Sequence, residues 1–152
     1  MHISAKADYA VRALVELAAN GNDGYVTVES LASRQGLPPK FLETIFTELR
    51  KDGVVISRRG VDGGYRLARP AREVSVADII RAVDGPLAAV RGLRPEDTEY
   101  EGAATALPHV WIALRVAVRD VLENVSLADL VSGHLPSRVE KLTSAPAAWQ
   151  RR

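Results

Sequence analysis

Apolar side chains return at helical intervals along the start of the chain, with Ala10, Ala13, Leu14, Leu17 and Ala18 on one face. Ser4 stands where an N-cap belongs, and the Asn-Gly-Asn-Asp-Gly cluster at 20–24 ends the pattern, predicting a first helix of about four turns. Tyr25-Val26 leaves room for a very short strand. Thr27 caps a second helix, VESLASRQG, with Leu31 and Ala32 inward and Gly36 as its stop. Leu37-Pro38-Pro39 is a tight turn whose prolines suit the start of a third helix, KFLETIFTELRKDG. There Leu42, Ile45 and Leu49 fall at i, i+3 and i+7, Phe41 and Phe46 flank them, and Gly53 closes the helix. The period then changes. Val54-Val55-Ile56-Ser57 is short and β-branched, Tyr65-Arg66-Leu67-Ala68 alternates, and the two read as a hairpin. Its connection, Arg58–Gly64, contains Asp62-Gly63-Gly64, residues that tolerate φ > 0.

Ser75-Val76-Ala77-Asp78 resembles a capping box and opens the helix VADIIRAVDG, which Gly85 ends. Residues 86–107 hold two prolines, two glycines and an acidic run, and read as a loop with little regular structure. From Pro108 onward, Trp111, Leu114, Val118, Val121 and Val125 follow at spacings of 3, 4, 3 and 4. That is a heptad seam, beside which Val110, Ala113 and Ala117 form a second apolar stripe. A core helix packed only within its own chain needs one stripe, so two favour dimerisation along this helix. Ser126-Leu127-Ala128-Asp129 starts another short capped helix. After Pro136 the tail is polar and reads as frayed, with Val139 and Leu142 marking one more helical turn.

The expected fold is mainly α with a small β-hairpin (α+β): a winged helix-turn-helix followed by a long dimerisation helix. Its parts are a DNA-binding domain at 1–72, a linking helix at 73–86, a loop at 87–108, the dimerisation helix and a short helix at 109–135, and a tail at 136–152.

Composition narrows the function. At 152 residues, with 47% apolar and 26% charged residues, the chain suits one domain plus an appended element. No apolar run is long enough for a membrane span and no signal peptide is visible, so the expected place is the cytoplasm. There are no cysteines, which removes disulfides, thiol nucleophiles and cysteine-held metals. The net charge is only +1, yet Val54–Arg72 carries five arginines (58, 59, 66, 69 and 72) against Asp62, a local +4. Pro86–His109 reverses this, with Arg91 and Arg94 against Glu96, Asp97, Glu99 and Glu101, or −2.

Helix, short turn, helix and then a hairpin define a winged helix. The polar face of the third helix carries Lys40, Glu43, Thr44, Thr47 and Lys51, all able to bond a base edge or a phosphate. The stretch RRGVDGGYRLARP is too glycine-rich to pack and too basic to bury. Glycine permits close approach to a phosphate chain, and the arginines Arg58, Arg59 and Arg66 suit the narrow, electronegative minor groove. Its expected packing partner is double-stranded DNA.

SAKADYAVRAL, FLETIFTELRKDGVV, RRGVDGGYRLARP and VADIIRAVDGP together resemble the Rrf-type regulators, the bacterial winged-helix family that includes IscR, NsrR and CymR. The resemblance runs from Met1 to about Pro86 and continues more loosely through Trp111 and SLADLV. It implies a homodimer that binds a pseudo-palindromic operator and usually represses transcription. Carried over by position, the DNA-facing residues are Lys40, Glu43 and Thr44 on helix three, Arg59 and Gly60 on the wing, and Lys6 and Tyr9 near the DNA backbone. A carboxylate at Glu43 can accept from cytosine N4. Arg50 is placed to contact phosphate or to stand as a solvated charge.

Many relatives hold an iron–sulfur cluster on three cysteines in the loop before the long helix. Here that loop, LAAVRGLRPEDTEYEGAATALPHV, has none, so thiolate ligation is chemically excluded and no cofactor is expected. The remaining carboxylates show no ligand spacing, and His109, His2 and His134 read as surface or packing residues, so no metal site is expected. No nucleophile elbow, Walker loop, zinc-protease motif or dinucleotide fingerprint is present, and the chain is not expected to be an enzyme. The resemblance also implies control by a partner protein, as in some cysteine-poor relatives that answer to an enzyme of sulfur metabolism. The alternative roles are therefore a module docking to such an enzyme, or a regulator that binds a small effector between the loop and the long helix.

Overall fold

The computed structural model describes residues 1–21 and 24–151. Asn22 and Asp23 of the expected helix-stop cluster lie outside them. Helix α1 (Ala5–Ala19) begins where Ser4 Oγ accepts from the Ala7 amide at 2.9 Å. Helix α2 (Val28–Gln35) begins under the Thr27 hydroxyl and ends at Gly36, whose left-handed backbone (φ 62°) brings the Leu37 amide back to the Ala32 carbonyl at 2.9 Å. The prolines then start α3 (Pro39–Lys51), which has no side-chain cap but one orphan amide fewer, since Pro39 has none to satisfy. Gly53 repeats the closing device, with the Val54 amide on the Leu49 carbonyl at 2.9 Å.

The core is the set of inward faces the spacing predicts. Leu14, Leu31, Leu42, Ile45, Phe46 and Leu49 are all fully buried, joined by Val54, Val55 and Ile79. Each contributes about 1.5–3 kcal/mol relative to exposure. Phe46 belongs to this core; Phe41 does not, and packs edge-on against Tyr9 at 5.8 Å.

Strands β1 (Val55–Arg58) and β2 (Gly64–Leu67) pair antiparallel, Val55 opposite Leu67 and Arg58 opposite Gly64. Val26 adds a single bridge to Tyr65, with both backbone bonds at 2.8 Å, so the short strand expected at 25–26 is one rung of a third strand. In the connection, left-handed backbone falls at Gly60 (φ 107°) and Gly64 (φ 136°), not at Asp62 or Gly63. Gly63 is required for space instead, since a Cβ there would stand 2.4 Å from the Arg58 carbonyl oxygen.

Helix α4 (Val76–Asp84) carries the predicted capping box. Asp78 donates its amide to Ser75 Oγ at 3.1 Å and its carboxylate accepts from the Ser75 amide at 3.0 Å. A matching box at Ser126 and Asp129 opens α6 (Leu127–Ser132), and Ser75 and Ser126 face each other in an antiparallel bridge. The 86–107 segment has more order than expected: short 3-10 turns at Pro95–Asp97 and Gly102–Ala104, with Leu87, Pro95 and Thr98 buried. The tail is likewise structured, as α7 (Ser137–Ser144) and a 3-10 turn at Pro146–Trp149.

Helix α5 (Leu107–Leu122) has no fully buried residue. It also stops before Val125, which is 6% exposed and offers its carbonyl to the Val76 amide at 2.9 Å. Val125 is therefore packed inside its own chain, which leaves little of it to face a second one. Val118 packs on the core, and Trp111 is half-buried, its Nε1 donating to Tyr100 Oη at 3.0 Å. What stays open is the second stripe, Val110 at 53% exposure with Ala113 and Ala117, together with Leu114 of the seam at 38%.

Candidate nucleic-acid interface

The inward residues of α3 fix its rotation, so the opposite side must face out. Lys40, Glu43, Thr44 and Arg50 are exposed there and Thr47 is half-buried. The hydroxyl of Thr44 donates to the Lys40 carbonyl at 3.4 Å and that of Thr47 to the Glu43 carbonyl at 3.0 Å. Spending the hydroxyl hydrogens on the helix leaves their oxygen lone pairs outward, so both present acceptors.

The hairpin stands beside this face. A groove of about 380 Å³ lies between them, lined by Glu43 and Arg50 from α3 and by Ser57, Arg59, Gly60 and Gly64 from the hairpin, among others. Arg50 spans it, its Nη1 donating to Ser57 Oγ at 3.4 Å. The hairpin is set close by Gly64, where a Cβ would stand 2.5 Å from the Val26 carbonyl oxygen. Phe46 backs it from the core, 4.9 Å from the Tyr65 ring.

The wing arginines are not equivalent. Arg58 donates to the Asp62 carbonyl at 2.7 Å, and its guanidinium lies 4.5 Å from the Tyr25 ring centroid. Arg66 packs on the same ring at 5.2 Å. Arg59 is exposed and has no hydrogen bond or ion pair from its side chain among the described residues. Tyr25 and Ser57 escaped the sequence reading; the only signal was an aromatic residue one rung from the hairpin.

Lys6 and Tyr9 are less free than expected. Lys6 Nζ pairs with Glu48 of α3 at 3.1 Å, and Tyr9 is held between Phe41 and the Arg12 guanidinium, 5.7 Å from its centroid. Away from this face, three carboxyls sit below their ordinary range. Burial raises Asp78, but bonds from Ser75 and the Arg69 guanidinium outweigh it. The Ser126 backbone and side chain lower Asp129; the backbone at Glu96 and then Arg115 lower Glu96.

A helix-turn-helix packed under a two-stranded hairpin, with a basic, glycine-hinged tip beside the exposed helix face, defines a winged-helix DNA-binding protein. The Rrf2 family model, described as "Iron-dependent Transcriptional regulator", matches residues 3–133, and the chain belongs to that family. It is 51% identical over 142 residues to a protein of Mycobacterium tuberculosis H37Rv named as an HTH-type transcriptional regulator, covering 93% of this chain and 88% of that one. It is 36% identical to the regulator IscR of Erwinia tasmaniensis over 133 residues, 87% of this chain and 79% of that one. Among solved structures it is similar to CymR, the global cysteine regulator of B. subtilis, with a TM-score of 0.73 at 34% identity over 88% of this chain and 98% of that one. The protein is a DNA-binding transcriptional regulator, not an enzyme.

The iron in the family's description finds no donors of the expected kind. The sequence has no cysteine, and among the described residues no group of three His, Cys, Asp or Glu side chains could hold a metal. The loop before α5 is tied down by side chains instead: Glu96 pairs with Arg115, Tyr100 accepts from Trp111, and Arg91 lies 5.6 Å from the Tyr100 centroid.

Proposed function

We propose that the protein acts in the bacterial cytoplasm as a homodimeric repressor on a pseudo-palindromic operator, with α3 in the major groove and the wing in the flanking minor groove. Among the described residues no helix is long and apolar enough to cross a membrane. The observation that carries the reading is the convergence of Glu43 and Arg50 of α3 with Arg59 and Gly60 of the wing around one groove, on the helix face where Lys40 and Thr44 are also exposed. An α-helix fits the major groove, where Glu43 can accept from cytosine N4 and Lys40 can bond guanine acceptors. Arg59 enters the minor groove, whose negative potential favours a guanidinium. Arg58, Arg66 and Arg50 neutralise phosphates, Gly60 lets the wing tip approach them, and Thr47 steadies the helix beneath. Lys6 reaches phosphate by exchanging Glu48 for it, with Tyr9 beside it.

The second chain is supported by α5. Val110, Ala113, Leu114 and Ala117 lie exposed together on this helix, with half-buried Val121 one turn on, and an apolar face this open is stabilised by burial against a copy of itself. Two recognition helices then face major grooves about one DNA turn or a little more apart. Sedimentation of the complex with a duplex holding one operator tests this: two chains per duplex are expected, and one chain per duplex with undiminished affinity refutes it.

A further inference from the structure

We propose that the cavity between α4, the start of the 86–107 segment and α5 is a binding site for a small organic anion carrying a carboxylate or phosphate group. The inference does not rest on how the protein reads DNA. Arg81 of α4, Arg94 of the loop, and Arg115 and Arg119 of α5 all line one cavity of about 370 Å³, a size at the low end for small-molecule sites. Gly85, Pro86, Leu87 and Pro95 complete the wall, and of these Leu87 and Pro95 are buried. The site thus offers cations to an acid group and an apolar surface to its carbon body.

The local carboxylates do not balance the arginines. Glu96 is the only acidic residue on the wall and pairs with Arg115; Glu123 just beyond it is shared between Arg81 and Arg119, the latter at 3.8 Å. Four guanidinium charges against two carboxylates leave +2, and Arg94 has no side-chain partner among the described residues. Guanidinium donors are planar forks matched to carboxylate and phosphate oxygens, so a bound anion satisfies what the protein leaves open. Arg115 is likewise not a freely solvated charge. Its side chain is only 14% exposed, and its Nε is buried with no hydrogen-bond partner among the described residues. A merely solvated charged face would expose such a group.

The position gives the site leverage. Ile79, Ile80 and Val83 of α4 belong to the core that also holds α1 and α3, while Arg115 and Arg119 belong to α5. An occupant bridges the DNA-reading half and the helix expected to pair the chains.

The test is a titration of the ¹⁵N-labelled full chain with inorganic phosphate and, separately, with succinate, at constant ionic strength balanced by chloride. Saturable shifts are expected in residues 81–96 and 115–119, with a dissociation constant of about 1 mM or tighter. Arg94→Gln with Arg119→Gln should weaken them about tenfold or more, leaving any phosphate shifts at the wing in place. Both residues are exposed, so the folded spectrum itself reports that the variant is intact. Saturation by phosphate alone assigns a phosphate ligand, by succinate alone a carboxylate, and by both an anion of either kind. No saturable shift at these residues with either anion, or shifts that the double variant leaves unchanged, overturns the site.

Discussion

The ring of Tyr25 holds the Arg58 guanidinium 4.5 Å from its centroid, one residue before the Val26–Tyr65 rung that fastens the hairpin. The same ring meets Arg66 at 5.2 Å. A residue outside the wing thus orders two of its cations before any DNA arrives. Each contact is worth roughly 0.5–1 kcal/mol at an exposed site. Tyr25→Ala should therefore weaken operator binding by about 1 kcal/mol, roughly fivefold, while Tyr25→Phe keeps the ring and the affinity. Fluorescence anisotropy on both variants checks this; equal loss in the two would assign the effect to the hydroxyl instead.

Arg59 and Glu43 should fail differently. Arg59→Ala is expected to cost about 1–3 kcal/mol on the operator, because an unpaired guanidinium has no protein contact to lose. Glu43→Ala should instead relax base preference at one position more than it lowers affinity. Competition among single-base operator variants separates these outcomes, and uniform loss for Glu43→Ala would mean a structural role.

The paired capping boxes make stability depend on acid. Asp78 and Asp129 both sit below their usual value of 3.8 in the folded state. A depressed folded pKa contributes stability above the unfolded value, and that contribution is lost as pH falls through the folded one. Urea midpoints should therefore drop between about pH 5 and pH 3, and Asp78→Asn should flatten part of that fall. Ser75→Ala should cost about 1 kcal/mol at neutral pH by removing the acceptor for the Asp78 amide. An unchanged midpoint in Ser75→Ala would show that the box does not hold α4.

Helix α5 should fail as an interface when its open stripe is charged. Val110→Asp with Leu114→Asp places two carboxylates where a second chain would bury them, and sedimentation should show monomers. Neither residue is buried in the single chain, so far-UV dichroism should be unchanged. A dimer that survives would move the interface elsewhere.

Helix starts and the core were legible because each rests on local chemistry: Ser4, Thr27, Ser75 and Ser126 cap what they were expected to cap, and Leu42, Ile45 and Leu49 point inward. The face of α5 was not. Its two apolar stripes are nearly equal in period, and tertiary contacts alone decide that Val118 and Trp111 turn inward while Val110 and Ala113 stay out. The order of the 86–107 segment was hidden for a related reason. Its left-handed positions include Ala88 (φ 55°) and Arg91 (φ 53°), residues that carry no turn signal, and its anchors to α5 lie 11 and 19 positions away in the chain. The Tyr25 shelf depends on a bridge between residues 26 and 65, which no local pattern reveals.

Anisotropy binding to the DNA upstream of the protein's own gene, with a salt titration and a scrambled competitor, tests the central claim most directly. Tight binding that is lost on the scrambled sequence and weakens steeply with salt is the expected result, since several arginines displace counterions from phosphate. Equal affinity for the native and scrambled duplexes at every salt concentration would contradict operator recognition by α3 and the wing.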